Sequence, residues 1–208
     1  MKCLKSMGGG LKQIAYKDYL SSICNTSYLQ WREFTIGDLF SVKPNPQLNK
    51  DSFEFTENGE YPYFTRTVYN NGILGYVKYL DDEHKIKGNS IAVGLIAMRF
   101  FYMNKDFYAG QFTKTIYPKF ENFNKYIALY FVSLFDKHKQ KYLKDFVVKY
   151  FEKDFTNTLI SLPIDCDNNP NFEFMEYFIS AVQKEVIKGV NLWSKKRVNT
   201  TKAIIDSH

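Results

Sequence analysis

Cysteine is scarce in this 208-residue sequence. Cys3, Cys24 and Cys166 stand far apart with no Cys-x-x-Cys pair, a spacing that argues against a disulfide framework and against a structural zinc site. No stretch approaches the roughly 18 apolar residues that a membrane span requires, and residues 1–10 lack the apolar core of a secretory signal. The expectation is a soluble protein of a reducing cytoplasm with no membrane partner. Phosphate-cradling glycine motifs are missing as well: residues 88–94 do not match a Walker loop, and no Gly-x-Gly-x-x-Gly opens a helix. Only His84, His138 and His208 represent histidine, none at metal-ligand or triad spacing. Nucleotide hydrolysis, triad chemistry and a resident metal are thereby disfavoured. The sequence also lacks internal repeats and low-complexity tracts, which excludes a solenoid.

What remains is apolar, aromatic and basic. With 45% hydrophobic and 18% aromatic content, the chain can bury one real core and carry an appendage. A net charge of +6 and a pI near 9.0 raise the odds of a polyanionic partner.

Three segments are expected: a lead over 1–30, a globular domain over 31–168, and a long helix with its tail over 169–208. Leu11, Ile14, Ala15, Tyr19, Leu20 and Ile23 have roughly helical spacing behind a triple-glycine hinge. From Trp31 the chain turns to short extended segments, with a Pro- and Asn-rich loop over 43–50. Tyr61-Pro62-Tyr63-Phe64-Thr65-Arg66-Thr67 and Ile73-Leu74-Gly75-Tyr76-Val77 read as two strands joined at Asn70-Asn71-Gly72. Segments at 91–95, 99–102 and 111–117 continue the sheet, and a helix follows Asn124, its candidate cap. After the Leu162-Pro163 stop, Phe172, Met175, Ile179, Val182, Val186 and Trp193 fall at three- and four-residue intervals apart from the longer last step. They form one narrow stripe on a helix, which needs a partner or a core to cover it.

Two patterns bear on chemistry. Asp81-Asp82-Glu83-His84-Lys85 contains the Glu-x-Lys element of metal-dependent nucleases, in which carboxylates hold a cation and a lysine polarises water. The same run reads more simply as a solvated, charge-dense loop. Thr65, Arg66, Thr67, Asn70 and Asn71 cluster at a turn, and arginine and asparagine are the side chains that pair bidentately with guanine and adenine. They read equally well as an ordinary hairpin turn beside a solvated arginine. Lysines at 137, 139, 141, 144, 149 and 153 alternate with aromatics, as on a helix lying along a phosphate backbone or on a solvated amphipathic helix.

The order of these pieces resembles the target-recognition domain of the specificity subunit of type I restriction-modification systems, and related recognition subunits of certain type II systems. The resemblance covers most of the chain. It rests on Trp31 through Phe40, the 61–67 and 70–73 segments, Gly88-Asn89-Ser90-Ile91-Ala92-Val93-Gly94, Phe100-Phe101-Tyr102, residues 124–131, and Ile160-Ser161-Leu162-Pro163 leading into 172–176. It implies an α+β fold: a mixed, mostly antiparallel sheet head with packed helices, then one long C-terminal helix for antiparallel coiled-coil pairing. It implies a head that reads one half of a split double-stranded DNA site. It implies docking of methyltransferase subunits, which bind S-adenosylmethionine, and room for a restriction subunit. The chain itself is then a non-catalytic subunit without a cofactor or metal of its own. A full-length family member carries two recognition domains and two spacer helices, whereas this chain has one of each, so homodimerisation through the stripe and a palindromic site are expected. The DNA contacts expected are Lys43, Asn45, Thr65, Arg66, Thr67, Asn70, Asn71, Lys114, Thr115 and Lys144. A self-contained endonuclease centred on Asp82, Glu83 and Lys85, and a mimic that binds the partners without reading DNA, are the alternatives.

Overall fold

The structure, a computed structural model, describes residues 29–143 and 150–205, with side chains through residue 199. The expected N-terminal helix and Lys144 lie outside the described residues.

Alternation of side chains along the central strands sorts the head into layers. Strands β2 (Phe40–Pro44), β8 (Thr113–Pro118), β5 (Ser90–Gly94) and β6 (Arg99–Met103) form an antiparallel sheet in the order β2-β8-β5-β6. On β5, Ile91 and Val93 point into one apolar cluster and Ala92 into another, as a period of two requires. The larger cluster lies under the helices α2 (Lys125–His138), α3 (Phe151–Thr156) and the start of α4 (Phe172–Ile205). Phe40 is its hub, meeting Phe131 and Phe135 edge-on at centroid distances of 4.7 and 5.6 Å. The smaller cluster faces a second sheet in the order β4-β3-β7, where β3 (Tyr61–Phe64) pairs antiparallel with β4 (Ile73–Val77) and parallel with β7 (Tyr108–Ala109).

Local chemistry sets the element ends. The carboxamide oxygen of Asn124 accepts from the N–H groups of Tyr126 and Ile127 at 2.9 and 3.2 Å, so Asn124 caps α2 as expected. Asn171 does the same for α4 through the N–H of Phe174. Gly37-Asp38 lies in a one-turn helix, α1 (Ile36–Leu39), between β1 (Trp31–Thr35) and β2. β1 pairs with β9 (Leu159–Pro163), from Trp31 opposite Pro163 to Thr35 opposite Leu159, so these two strands close the head just before α4 departs. The α+β class with a long C-terminal helix is as expected. One reading is corrected. The lysine- and aromatic-rich stretch is not one helix, since α2 gives way to a 3-10 turn over Lys139–Lys141 and α3 begins only at Phe151. Cys3 and Cys24 lie outside the described residues.

Candidate nucleic-acid interface

The loop joining β3 to β4 is built by its own hydroxyls and amides. Thr65 receives the N–H of Thr67 at 3.4 Å, and Thr67 receives that of Tyr69 at 3.3 Å. The Thr65 N–H donates to the carbonyl of Gly72 at 2.7 Å, closing the turn. Asn70, Asn71 and Gly72 all take left-handed backbone, with φ of 47°, 54° and 78°. The Asn70 carboxamide donates to Ile73 O at 3.1 Å. One amino hydrogen is thus used in holding the turn, while the carboxamide oxygen and the second amino hydrogen of this exposed residue stay available. Arg66, Tyr69 and Asn71 are left pointing outward, all exposed.

Beside this loop lies an open cleft of about 450 Å³, lined by Leu48, Asn49, Lys50, Tyr63, Thr65, Arg66, Thr67, Leu74, Gly110 and Gln111. Two cations and several amides and hydroxyls line it, with Asp51 next in sequence to the lining Lys50. Four chain segments meet here because β7 joins β3 in parallel and Gln47 bridges to Ala109. The Arg66 guanidinium lies 5.4 Å from the Phe112 ring centre. Gln111 donates to the carboxamide oxygen of Asn49 at 3.1 Å. Burial, and secondarily Asp51, pushes the Tyr63 phenol up from 10.0, and its O–H donates to Leu48 O at 2.7 Å. Such a surface can accept an anionic backbone and offer planar hydrogen-bonding groups to it. Sequence reasoning missed Asn49, Lys50, Gln111 and Phe112; their polar or aromatic type was visible, but only the non-local β3–β7 pairing places them together.

The other expected DNA contacts are scattered. Asn45 and Thr115 are corrected outright. Both are buried, with Asn45 donating to Thr113 Oγ1 at 3.0 Å and Thr115 donating to Asn45 Oδ1 at 2.6 Å, so they serve an internal network. Lys114 sits 3.7 Å from Glu152 in an ion pair. Lys43 lies exposed over the ring of Tyr117, at 5.6 Å. It pairs with Thr115, the neighbour of Lys114, so the two lysines project from opposite faces of the sheet and do not form one track.

The Asp81–Lys85 run is tied into a turn. Asp81 accepts from the backbone N–H and meets Nδ1 of His84 at 2.7 and 2.8 Å, contacts that hold its carboxyl below 3.8. Lys85 donates to Asp82, which lowers the Asp82 carboxyl and raises the lysine, and lies 5.3 Å from the Tyr79 ring centre. Among the described residues no three His, Cys, Asp or Glu side chains come together to hold a metal ion. No helix of the described residues is long and apolar enough to cross a membrane.

The stripe on α4 divides in two. Phe172 stacks on Phe120 at 4.1 Å, Met175 is fully buried, and Ile179 packs against the main cluster. These three are corrected from partner-facing to head-facing, since the aromatic surface of α2 and its preceding loop covers them. Val182, Val186 and Trp193 are exposed by 43%, 59% and 62%, and Val190 at 58% fills the long step between the last two. Every residue from 184 to 199 is exposed, so the helix leaves the head there.

The mixed α+β fold with a long C-terminal helix is shared with solved specificity subunits. The chain is similar to the S subunit of a type I restriction-modification system from M. genitalium (TM-score 0.56, 18% identity, covering 84% of this chain and 44% of that one). It is also similar to the HsdS subunit from Thermoanaerobacter tengcongensis (TM-score 0.53, 13% identity, covering 84% and 45%). In sequence it is 23% identical over 177 residues to the specificity subunit S.BcgI of the type II restriction enzyme BgcI from Heyndrickxia coagulans, covering 84% of this chain and 50% of that protein. Residues 28–192 match the type I restriction modification DNA specificity domain, and the chain belongs to that family. It spans about half the length of the curated relative it matches.

Proposed function

We propose that this chain is a DNA sequence-recognition subunit of a restriction-modification system, its head reading one half of a bipartite duplex site. The observation that carries this reading is the cleft at the β3–β4 loop, where Arg66, Lys50, Asn49 and Gln111 present donors suited to phosphates and base edges. Arg66 and Asn71 address bases, while Lys43 and Lys50 meet the backbone. The exposed part of α4 pairs antiparallel with that of a second copy, through Val182, Val186, Val190 and Trp193, and the paired helices carry the methyltransferase subunit. Methyl transfer from S-adenosylmethionine belongs to that partner, as would cleavage to a restriction subunit, and the assembly works in the cytoplasm.

Selection of the purified chain on a randomised duplex library tests the reading, together with light scattering behind size exclusion. The expected results are an enriched palindromic motif and a dimer that Val186→Glu with Trp193→Glu converts to a monomer. A strict monomer at micromolar concentration that enriches no motif would overturn it.

A further inference from the structure

Gln111 and Asn49 occupy the cleft without an evident structural duty. Both are exposed, and the loop that carries Asn49 is already anchored nearby. The Leu48 N–H donates to Ala109 O at 3.2 Å, and Tyr63 donates to Leu48 O at 2.7 Å. The Gln111–Asn49 hydrogen bond therefore adds little as a staple. Its effect is on the amides, fixing two otherwise mobile side chains before any ligand arrives. The bond uses one amino hydrogen and one carbonyl lone pair, so a free carbonyl oxygen and free amino hydrogens remain, whichever amide is the donor. A carbonyl acceptor beside an amino donor is the complement of adenine in the major groove, where N6 donates and N7 accepts.

Arg66 is held in a related way. Its guanidinium lies 5.4 Å from the Phe112 ring centre, a contact that leaves its N–H edge free for a bidentate partner. Phe112 is itself fixed, with φ of 59° and its carbonyl accepting from the Leu95 N–H at 2.9 Å. Because Gln111 and Phe112 are adjacent, the amide pair and the guanidinium stand on the order of 10 Å apart. At about 3.4 Å per base step, that is roughly three base pairs.

We infer that the Gln111–Asn49 pair is an adenine reader set beside Arg66, which Phe112 positions toward a guanine, so the recognised half-site holds both purines within about three base pairs. The inference rests on the DNA-recognition reading above.

Duplex selection with the full chain and its variants tests it. Wild type is expected to enrich an adenine and a guanine at that separation. Gln111→Ala and Asn49→Ala are expected to lose about tenfold in discrimination at the adenine alone, and Gln111→Glu to shift that position toward cytosine, whose N4 amino group a carboxylate accepts. Arg66→Ala is expected to relax only the guanine. Phe112→Leu is expected to weaken guanine discrimination and Phe112→Tyr to restore it, with thermal midpoints unchanged across the set. Enrichment by Gln111→Ala and Asn49→Ala of the same motif as wild type overturns the inference and leaves the recognition role standing. A wild-type chain that enriches no sequence overturns both.

Discussion

Asn45 donates to Thr113, accepts from Thr115, and lies with both in the interior, while the Thr113 hydroxyl donates to Gly110 O at 2.8 Å. Truncating the central amide removes one hydrogen bond from each of two buried hydroxyls. Asn45→Ala should lower unfolding free energy by about 1–3 kcal/mol in denaturant titration, while the DNA motif selected by the folded fraction stays the same. Asn45 also shows why some site residues could not be read from sequence. An asparagine in a Pro- and Asn-rich loop carries the chemistry of a base reader, and only its position under β8 converts it to a core strut. Arg66 is the converse, as its residue type and its place at a hairpin pointed to a surface role and it lies at the cleft. Tyr130 supplies a pH test. Burial against α4 pushes its phenol up from 10.0 to about 12. A folded-state value above the unfolded one means full stability below pH 10 and a loss as pH climbs from 10 toward 12. Tyr130→Phe should make that alkaline loss shallower when unfolding midpoints are compared across the window.

At the scale of elements, glycine has opposite meanings at two positions. Gly72 ends the β3–β4 turn with φ of 78°, and a Cβ there would lie 2.3 Å from the Phe64 ring. Gly189 is in the exposed part of α4, and a Cβ there meets nothing within 4 Å. Gly72→Ala should therefore destabilise the head by more than about 1 kcal/mol, from backbone strain added to overlap with a core ring. Gly189→Ala should instead raise the helicity of α4, worth about 1 kcal/mol of intrinsic propensity. Chemical denaturation reads the first and far-ultraviolet circular dichroism the second. The Asn-Asn-Gly turn, its flanking strands and the capped α2 were legible because each signal is local. The parallel β3–β7 pair and the division of the α4 stripe were not, since both depend on what the rest of the head leaves uncovered. Period alone marks Phe172, Met175 and Val186 as equivalent, yet Phe120 covers the first while the last is 59% exposed.

For the whole molecule the decisive feature is the length of α4 that its own head leaves bare. Residues 184–199 span roughly 24 Å at 1.5 Å per residue, and lone helices of this size are marginal in water without tertiary packing. The face opposite the stripe carries Lys184, Lys188 and Lys195 beside the exposed Ile187 and Leu192, with Glu185 paired to Lys188 at 3.9 Å. Like charges four residues apart work against an isolated helix, so its order must come from apolar burial. Pairing Val182, Val186, Val190 and Trp193 with their copies supplies that burial and turns the lysines outward. Amide hydrogen exchange over 184–199 should consequently depend on protein concentration, with fast exchange in dilute solution and protection as dimer forms, while β5 and α2 exchange slowly throughout. Val186→Glu with Trp193→Glu should hold the segment in fast exchange at every concentration. Slow exchange in a dilute wild-type monomer would mean that α4 is stable alone, and would remove folding energy as the reason for it to seek a twin.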